Sequence, residues 1–323
     1  MASSKVVLPC PERIKPQLLT MASRPPDGDG WLHQLKFDGY RLMARIDRGT
    51  VTLFTKNGYD WTKRMPVLAN ELLMLPVRSA WIDGEVVVQD EDGRPLFSSL
   101  QSAFSSGKTD ALCLFAFDLL FENGRDLRSL PIEQRLSRLS KLLNRVELLH
   151  VRLSDTLDVD PRDLLHNVCA LEMEGIVCKR AGSPYASERN GNWVKVKCSP
   201  RQEFIILGYT RAAAGIGSLL IGLHNDDGQL VYAGRVRSGF DSRTLKHLRV
   251  ALMALEQADA SLPLPPKLAK GLSAVWVQPQ LVCEVKYTEI TPAGRVRHAV
   301  FLGLREDKPA SEISLETDAH DAP

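Results

Sequence analysis

Two kinds of patterning meet near residue 200, and no single-layered fold carries both. Over residues 31–200 short apolar runs alternate with helical periodicity: runs at 31–36, 50–55, 80–89, 112–119, 175–179 and 193–197 read as strands, and 62–75, 131–144 and 161–173 as helices. Asp160 can cap the third helix and Pro161 suits its first turn, and Glu133 sits near the start of the second. From about Gln202 the runs shorten: strands at 203–209, 218–223 and 230–236, with an Asn225-Asp226-Asp227-Gly228 turn before the last, then a helix at 242–257 and strands at 281–287 and 297–302. The expectation is an α+β domain over residues 1–200, then a small OB-fold β-barrel over 201–308.

Charge narrows the class. The chain has 323 residues with 41 Lys+Arg against 39 Asp+Glu, a net +2, so any nucleic-acid surface must be local. Residues 201–308 hold 14 basic and 10 acidic side chains, whereas 309–323 hold four acids and no base, an acidic tail expected to be disordered. No run reaches the roughly 18 apolar residues of a membrane helix. Pro9, Pro11, Glu12, Arg13, Lys15 and Pro16 break up the early apolar stretch, which leaves no secretory core. Six scattered cysteines, without a CxxC pair or a Cys/His cluster, argue against zinc and a disulfide scaffold and for a reducing cytoplasm.

The chemistry concentrates in ordered strings: Trp31 to Arg41 with Lys36-Phe37-Asp38-Gly39 inside it, then Asp83-Gly84-Glu85, Phe115-Ala116-Phe117-Asp118, Glu174 to Lys179, Trp193 to Lys197 and Arg305-Glu306-Asp307-Lys308. Each alone has a plain reading. Lys36 would be a solvated strand end, Glu85 a hairpin-edge acid, Glu174 a helix-end acid, Phe117 a core ring, Arg41 a surface salt bridge and Arg305 to Lys308 a solvated charge run. Lys195 and Lys197 are more telling. They alternate with Val194 and Val196, which puts both ammonium groups on one face of a strand, and such a pair repels unless an anion lies between.

Taken in order, the six strings resemble the covalent nucleotidyltransferases and, within them, ATP-dependent DNA ligases, most closely the ligase module of bacterial ligase D, over roughly residues 8–308. The resemblance implies that Lys36 attacks the α-phosphorus of ATP and expels pyrophosphate, which requires its uncharged amine; Lys195, Lys197 and a bound metal are the cations expected to lower its pKa. It implies Glu85 and Glu174 as ligands of magnesium, with manganese as the alternative. Phe117 would stack on adenine, and Gln34, Arg41, Glu174, Lys195, Lys197 and Arg305 would contact the nucleotide. Arg41 and Lys56 would contact DNA, and Arg305 and Lys308 would orient pyrophosphate.

Two departures stand out. Position 34 is Gln34 where Glu-x-Lys is usual, and position 56 is Lys56 where arginine is usual, which keeps the charge but loses the guanidinium fork and weakens the expected grip on a DNA 5′-phosphate. Nicked or broken double-stranded DNA is the implied substrate, held through phosphates and sensitive to salt. A swing of the barrel about residues 199–202 is expected between steps. No sizeable domain precedes residue 31, so the helical DNA-clasping domain of larger ligases is not expected here, and Ku with polymerase or phosphoesterase modules are the implied partners of a cytoplasmic, nucleoid-associated monomer. An RNA ligase, a capping guanylyltransferase and an inactive OB-fold nucleic-acid-binding protein are the competing readings. An NAD-dependent ligase is disfavoured because its cysteine-rich zinc element is missing.

Overall fold

The computed structural model describes residues 7–212, 215–268 and 272–316. The described residues divide into two compact units, one ending at Cys198 and the other Ser199–Glu316.

The first unit holds two sheets. In the larger, the strands Thr50–Thr55, Tyr40–Asp47, Ser79–Val88 and Leu112–Glu122 lie antiparallel in that order, with Val151–Leu153 pairing parallel to the last. Alternate residues of these strands, among them Leu42, Ala44, Ile46, Leu53, Ile82, Leu114 and Ala116, face one side. There they bury against Leu68 and Leu72 of helix Pro66–Leu73, Leu100 and Phe104 of helix Phe97–Ser106, and Leu139 and Leu142 of helix Ile132–Leu143. Each fully buried Leu or Ile adds roughly 1.5–3 kcal/mol, so this face anchors the unit.

The smaller sheet runs Thr20–Met21, Trp193–Lys197, Gly175–Arg180, Trp31–Lys36. On its back face Ile176, Cys178, Val194 and Val196 pack on Leu164 and Val168 of helix Pro161–Ala170. Asp160 caps that helix, accepting from the backbone N–H of Arg162 and of Asp163. The front face of this sheet carries both apolar side chains, Leu32, Val177 and Trp193, and polar ones, Gln34, Lys36, Lys179, Lys195 and Lys197. Phe37, Asp38 and Gly39 carry the chain from one sheet to the other; a Cβ on Gly39 would lie 2.1 Å from the Val86 carbonyl oxygen, so only glycine fits the crossing.

In the second unit the long strand Arg201–Ala212 pairs on one side with Gly215–His224, and on the other with Ala274–Val277 and Val282–Lys286. Leu230–Val236 continues one flank and Val300–Leu304 the other. The Phe301 N–H donates to the Ser238 carbonyl at 2.9 Å, which draws the two flanks together into an OB-fold-like curl.

Several expectations change. The strand Tyr40–Asp47 and the helix Phe97–Ser106 are absent from the sequence reading. The helix expected over 62–75 is a 3₁₀ turn, Thr62–Arg64, followed by Pro66–Leu73, because Pro66 starts a new helix at its first position. The stretch from 309, expected as a loose tail, is tied to the second unit through residue 316: Ile313 is buried in its core and its carbonyl accepts from the His224 N–H at 2.9 Å. The rest of that tail, 317–323, lies outside the described residues. The sequence argued against a disulfide scaffold, and one disulfide is present, Cys169–Cys198, with Cα atoms 5.2 Å apart; Cys10, Cys113, Cys178 and Cys283 are free thiols. Among the described residues no helix is long and apolar enough to cross a membrane.

Candidate active site

Strand register builds the site. Lys36 lies opposite Gly175 and Gly175 opposite Lys197, so the three form one row across three strands. The next row is Gln34, Val177 and Lys195, and the next Leu32, Lys179 and Trp193. Residues two apart share a face. All nine positions therefore look to the front of the small sheet, and Gln34, Lys36, Val177, Lys179 and Trp193 line a pocket with Arg41, Glu85 and Phe117 from the large sheet. Gly175 at the centre has φ of +148°, and a Cβ there would sit 2.0 Å from the Val196 carbonyl oxygen. The missing side chain lets the lysine strand Trp193–Lys197 close up on the nucleophile candidate.

The Lys36 ammonium donates to Glu174 Oε2 at 2.6 Å, and that carboxylate is buried. Lys195 is buried and Lys197 half-buried. Glu85 lies directly opposite Arg41 on paired strands. The two acids offer hard oxygen donors beside Lys36. No group of three or more His, Cys, Asp or Glu side chains converges among the described residues, so a cation would complete its shell with phosphate oxygens and water, the ordinary way magnesium is held.

Gln34 is buried, and its Nε2 donates to the Ser154 carbonyl at 2.8 Å. This fixes the orientation of the carboxamide. Arg41 spends two of its donors on Asp83, Nε to Oδ1 at 2.8 Å and Nη2 to Oδ2 at 2.6 Å, and Tyr185 Oη donates to the same Oδ2 at 2.7 Å. Burial opposes the Arg41 charge, but the Asp83 carboxylate wins and its pKa is raised. Its guanidinium stands 5.1 Å from the Phe117 ring centre and 5.5 Å from that of Trp193.

Lys179 was not singled out from the sequence. Its Nζ donates to the Phe117 carbonyl at 3.0 Å and lies 4.5 Å from the Phe117 ring centre and 4.1 Å from that of Trp193. Burial, with the nearby Arg41 and Arg135 cations, lowers its pKa to about 7 against the pull of Asp118 and Asp83. The available signal was period two, since Lys179 shares a face with Val177. Phe117 thus lines the pocket with cations against its ring. Behind it Arg135 and Asp118, both fully buried, pair at 2.8 and 3.0 Å.

Lys56 lies in the turn after the edge strand Thr50–Thr55, outside this pocket. Arg305 and Lys308 belong to the second unit. Arg305 is buried, with Nε and Nη2 on the Asp307 carboxylate at 2.9 Å each and Nη1 on Glu284 at 3.0 Å. Lys308 donates to Glu203.

Comparison with known proteins shows the family of the chain. Residues 16–197 match the family described as ATP dependent DNA ligase domain, and residues 212–308 match the ATP dependent DNA ligase C terminal region. A Pseudomonas aeruginosa relative, the multifunctional non-homologous end joining protein LigD, is 46% identical over 98% of this chain, which spans 38% of that protein. The multifunctional non-homologous end joining DNA repair protein LigD of Mycobacterium tuberculosis is 36% identical over 88% of this chain and 37% of its own length. A solved structure of mycobacterial DNA ligase D complexed with ATP and MES is 34% identical, covering 93% of this chain and 98% of its own, with a TM-score of 0.69. The chain spans well under half the length of those full-length relatives. With both family regions in order and the lysine row inside the first of them, the chain belongs to the ATP-dependent DNA ligases.

Proposed function

We propose that this chain seals 5′-phosphate/3′-hydroxyl nicks or joined ends in double-stranded DNA, with Lys36 as the nucleophile toward ATP, residues 1–200 as adenylation domain and 201–308 as OB-fold domain. The observation that carries this reading is the row Lys36, Gly175, Lys197, with Glu174 on the Lys36 ammonium at 2.6 Å. Before attack Lys36 must lose a proton, and Glu174 Oε2 is an acceptor within reach. The Lys36 nitrogen then bonds to the α-phosphorus, the bond to the bridging oxygen breaks, and pyrophosphate leaves. Lys195 and Lys197 face the charge that develops on the α-phosphate. A magnesium or manganese ion held by Glu85 and Glu174 supplies charge neutralisation at the phosphates when bound; Glu174 serves either that ion or Lys36.

The AMP next passes from Lys36 to the DNA 5′-phosphate, and the 3′-hydroxyl displaces it to close the backbone. Gln34, Phe117 and Arg41 shape the base and ribose end of the pocket, and Arg41 and Lys56 contribute contacts to DNA phosphate. Arg305 and Lys308 serve pyrophosphate departure once released from their carboxylates. In this reading the chain works in end joining, as the names of its relatives support, with Ku and polymerase or phosphoesterase modules as partners of a monomeric ligase module in the cytoplasm, at the nucleoid.

The test is incubation of wild type and Lys36→Ala with magnesium and α-labelled ATP or GTP, then denaturing electrophoresis and a chase with nicked DNA. Label from ATP on wild type alone, released on sealing, is the expected result. Label from GTP moves the assignment to capping, label passed only to RNA moves it to RNA ligation, and no label from either points to a binding module.

A further inference from the structure

The two cysteines that the sequence left unpaired frame the catalytic strands. Cys169 lies in the last turn of helix Pro161–Ala170, and Cys198 directly follows Lys197 as the last residue of the first unit's main segment. They are 29 positions apart, and the stretch between them carries Glu174, Lys179, Lys195 and Lys197. The Cys198 N–H also donates to the Glu174 carbonyl at 3.0 Å, so the position of Cys198 bears on the backbone of the residue that holds Lys36. Both cysteines are only half-buried, open to a small reagent at the protein surface. The other thiols differ. Cys113, Cys178 and Cys283 are buried, and burial pushes the thiols of the first two up to about 11 and about 12. Chemistry with a soluble thiol is confined by access to the Cys169–Cys198 pair and the half-buried Cys10.

We propose that Cys169 and Cys198 form a reversible thiol–disulfide modification site that tunes nucleotide transfer by clamping or releasing the end of the lysine strand Trp193–Lys197. The reaction partner is a low-molecular-weight thiol and its disulfide, glutathione being the probe. In reduction a glutathione thiolate attacks one sulfur, the Cys169–Cys198 bond breaks, a mixed disulfide forms, and a second thiolate releases it; the protein gains two thiols and two glutathiones leave as glutathione disulfide. Oxidation runs the same steps backward. The bonded state holds the strand end to the helix and keeps Lys195 and Lys197 in register with Lys36. The reduced state leaves that end on backbone hydrogen bonds and on packing against Leu164 and Val168.

The activity arm rests on the nucleotide-transfer reading above; the thiol arm does not. The full chain is equilibrated across glutathione:glutathione disulfide ratios, alkylated, and mapped by mass spectrometry, with the melting temperature and single-turnover self-adenylation from ATP measured on the same samples. Cys169→Ser/Cys198→Ser and Cys169→Ala are run in parallel. The expected result is that Cys169 and Cys198 become alkylatable together as the ratio rises. Wild type then melts lower and self-adenylates about tenfold more slowly when reduced, as a small misplacement of reacting groups demands, while the double variant stays at the reduced rate throughout. Independent alkylation of the two cysteines under oxidising ratios overturns the site. A disulfide that forms without changing the rate overturns the tuning. If wild type takes no label in either state, the nucleotide-transfer reading falls, while the alkylation and melting curves still decide the thiol site.

Discussion

Replacing Gly175 by alanine tests whether the lysine row sets the chemistry. The added Cβ would lie 2.0 Å from the Val196 carbonyl oxygen and 2.9 Å from the Lys197 Cα. Both are backbone atoms, so no side chain can swing away; the Trp193–Lys197 strand has to retreat by at least about 1 Å before contact becomes tolerable. Lys197 is carried off with it. A displacement of that size between reacting groups costs about 100-fold in rate. The strained φ and the overpacking together cost about 3 kcal/mol, which lowers the melting temperature of the first unit by roughly 6–12 °C. Gly191→Ala is the control: its φ is also positive, +76°, but nothing lies within 4 Å of the new Cβ, so it pays only the conformational cost of about 1 kcal/mol. Single-turnover self-adenylation at saturating labelled ATP, with thermal melting of the same samples, separates the two. If Gly175→Ala takes up label at the wild-type rate and melts with Gly191→Ala, the row does not govern the reaction and the register argument is wrong.

Gln34→Glu would turn a donor toward the Ser154 carbonyl into a buried carboxylate facing it; its folded pKa rises by about 2 units, a cost near 3 kcal/mol that is absent below the ordinary glutamate range near pH 4, grows as pH rises through it and is complete above the raised value. Melting of variant and wild type at pH 5 and 8 reads it, and equal differences at both would count against the bond to Ser154. Burial lowers the Lys179 pKa to about 7 in the fold from its ordinary value of 10.5, so the unfolded chain binds the extra proton between, and stability rises with pH over that window by at most about 5 kcal/mol; Lys179→Met should flatten this in urea unfolding from pH 7 to 10, and an unchanged slope would refute the lowered pKa. Arg305→Ala removes one cation from Glu284, which keeps Arg201 at 3.8 Å, and from Asp307, both buried, and should destabilise the second unit by about 3 kcal/mol, read as an earlier transition in denaturant; an unshifted transition would mean that the Arg305 pairs carry no weight.

The parts of the site that could be read from sequence are those written in local spacing. Lys195 and Lys197 alternate with Val194 and Val196, and the structure buries those valines against Leu164 and Val168, so period two alone gave the face. Asp160 and Pro161 marked a helix start for equally local reasons. The same alternation runs through Tyr40, Leu42, Ala44 and Ile46, a strand absent from the sequence reading, in which Arg41 had the plain reading of a surface salt bridge, whereas it faces a buried carboxylate. What stayed hidden depends on how the chain returns on itself. Asp83 meets Arg41 across 42 residues and Tyr185 across 102, and no spacing rule chooses those partners among the acids available. Position also decides the role of a charge: Arg305, within a run that looks solvated, is inside the second unit with its donors on two carboxylates. The cysteine pair makes the point most directly. Helix Pro161–Ala170 ends just before Gly175–Arg180, and the antiparallel return through Trp193–Lys197 brings residue 198 back beside 174, next to the helix end. The hairpin that aligns Lys197 with Lys36 is thus the same one that delivers Cys198 to Cys169, so the redox site and the lysine row have one geometric cause, and a change that shifts the register of that hairpin should move both together.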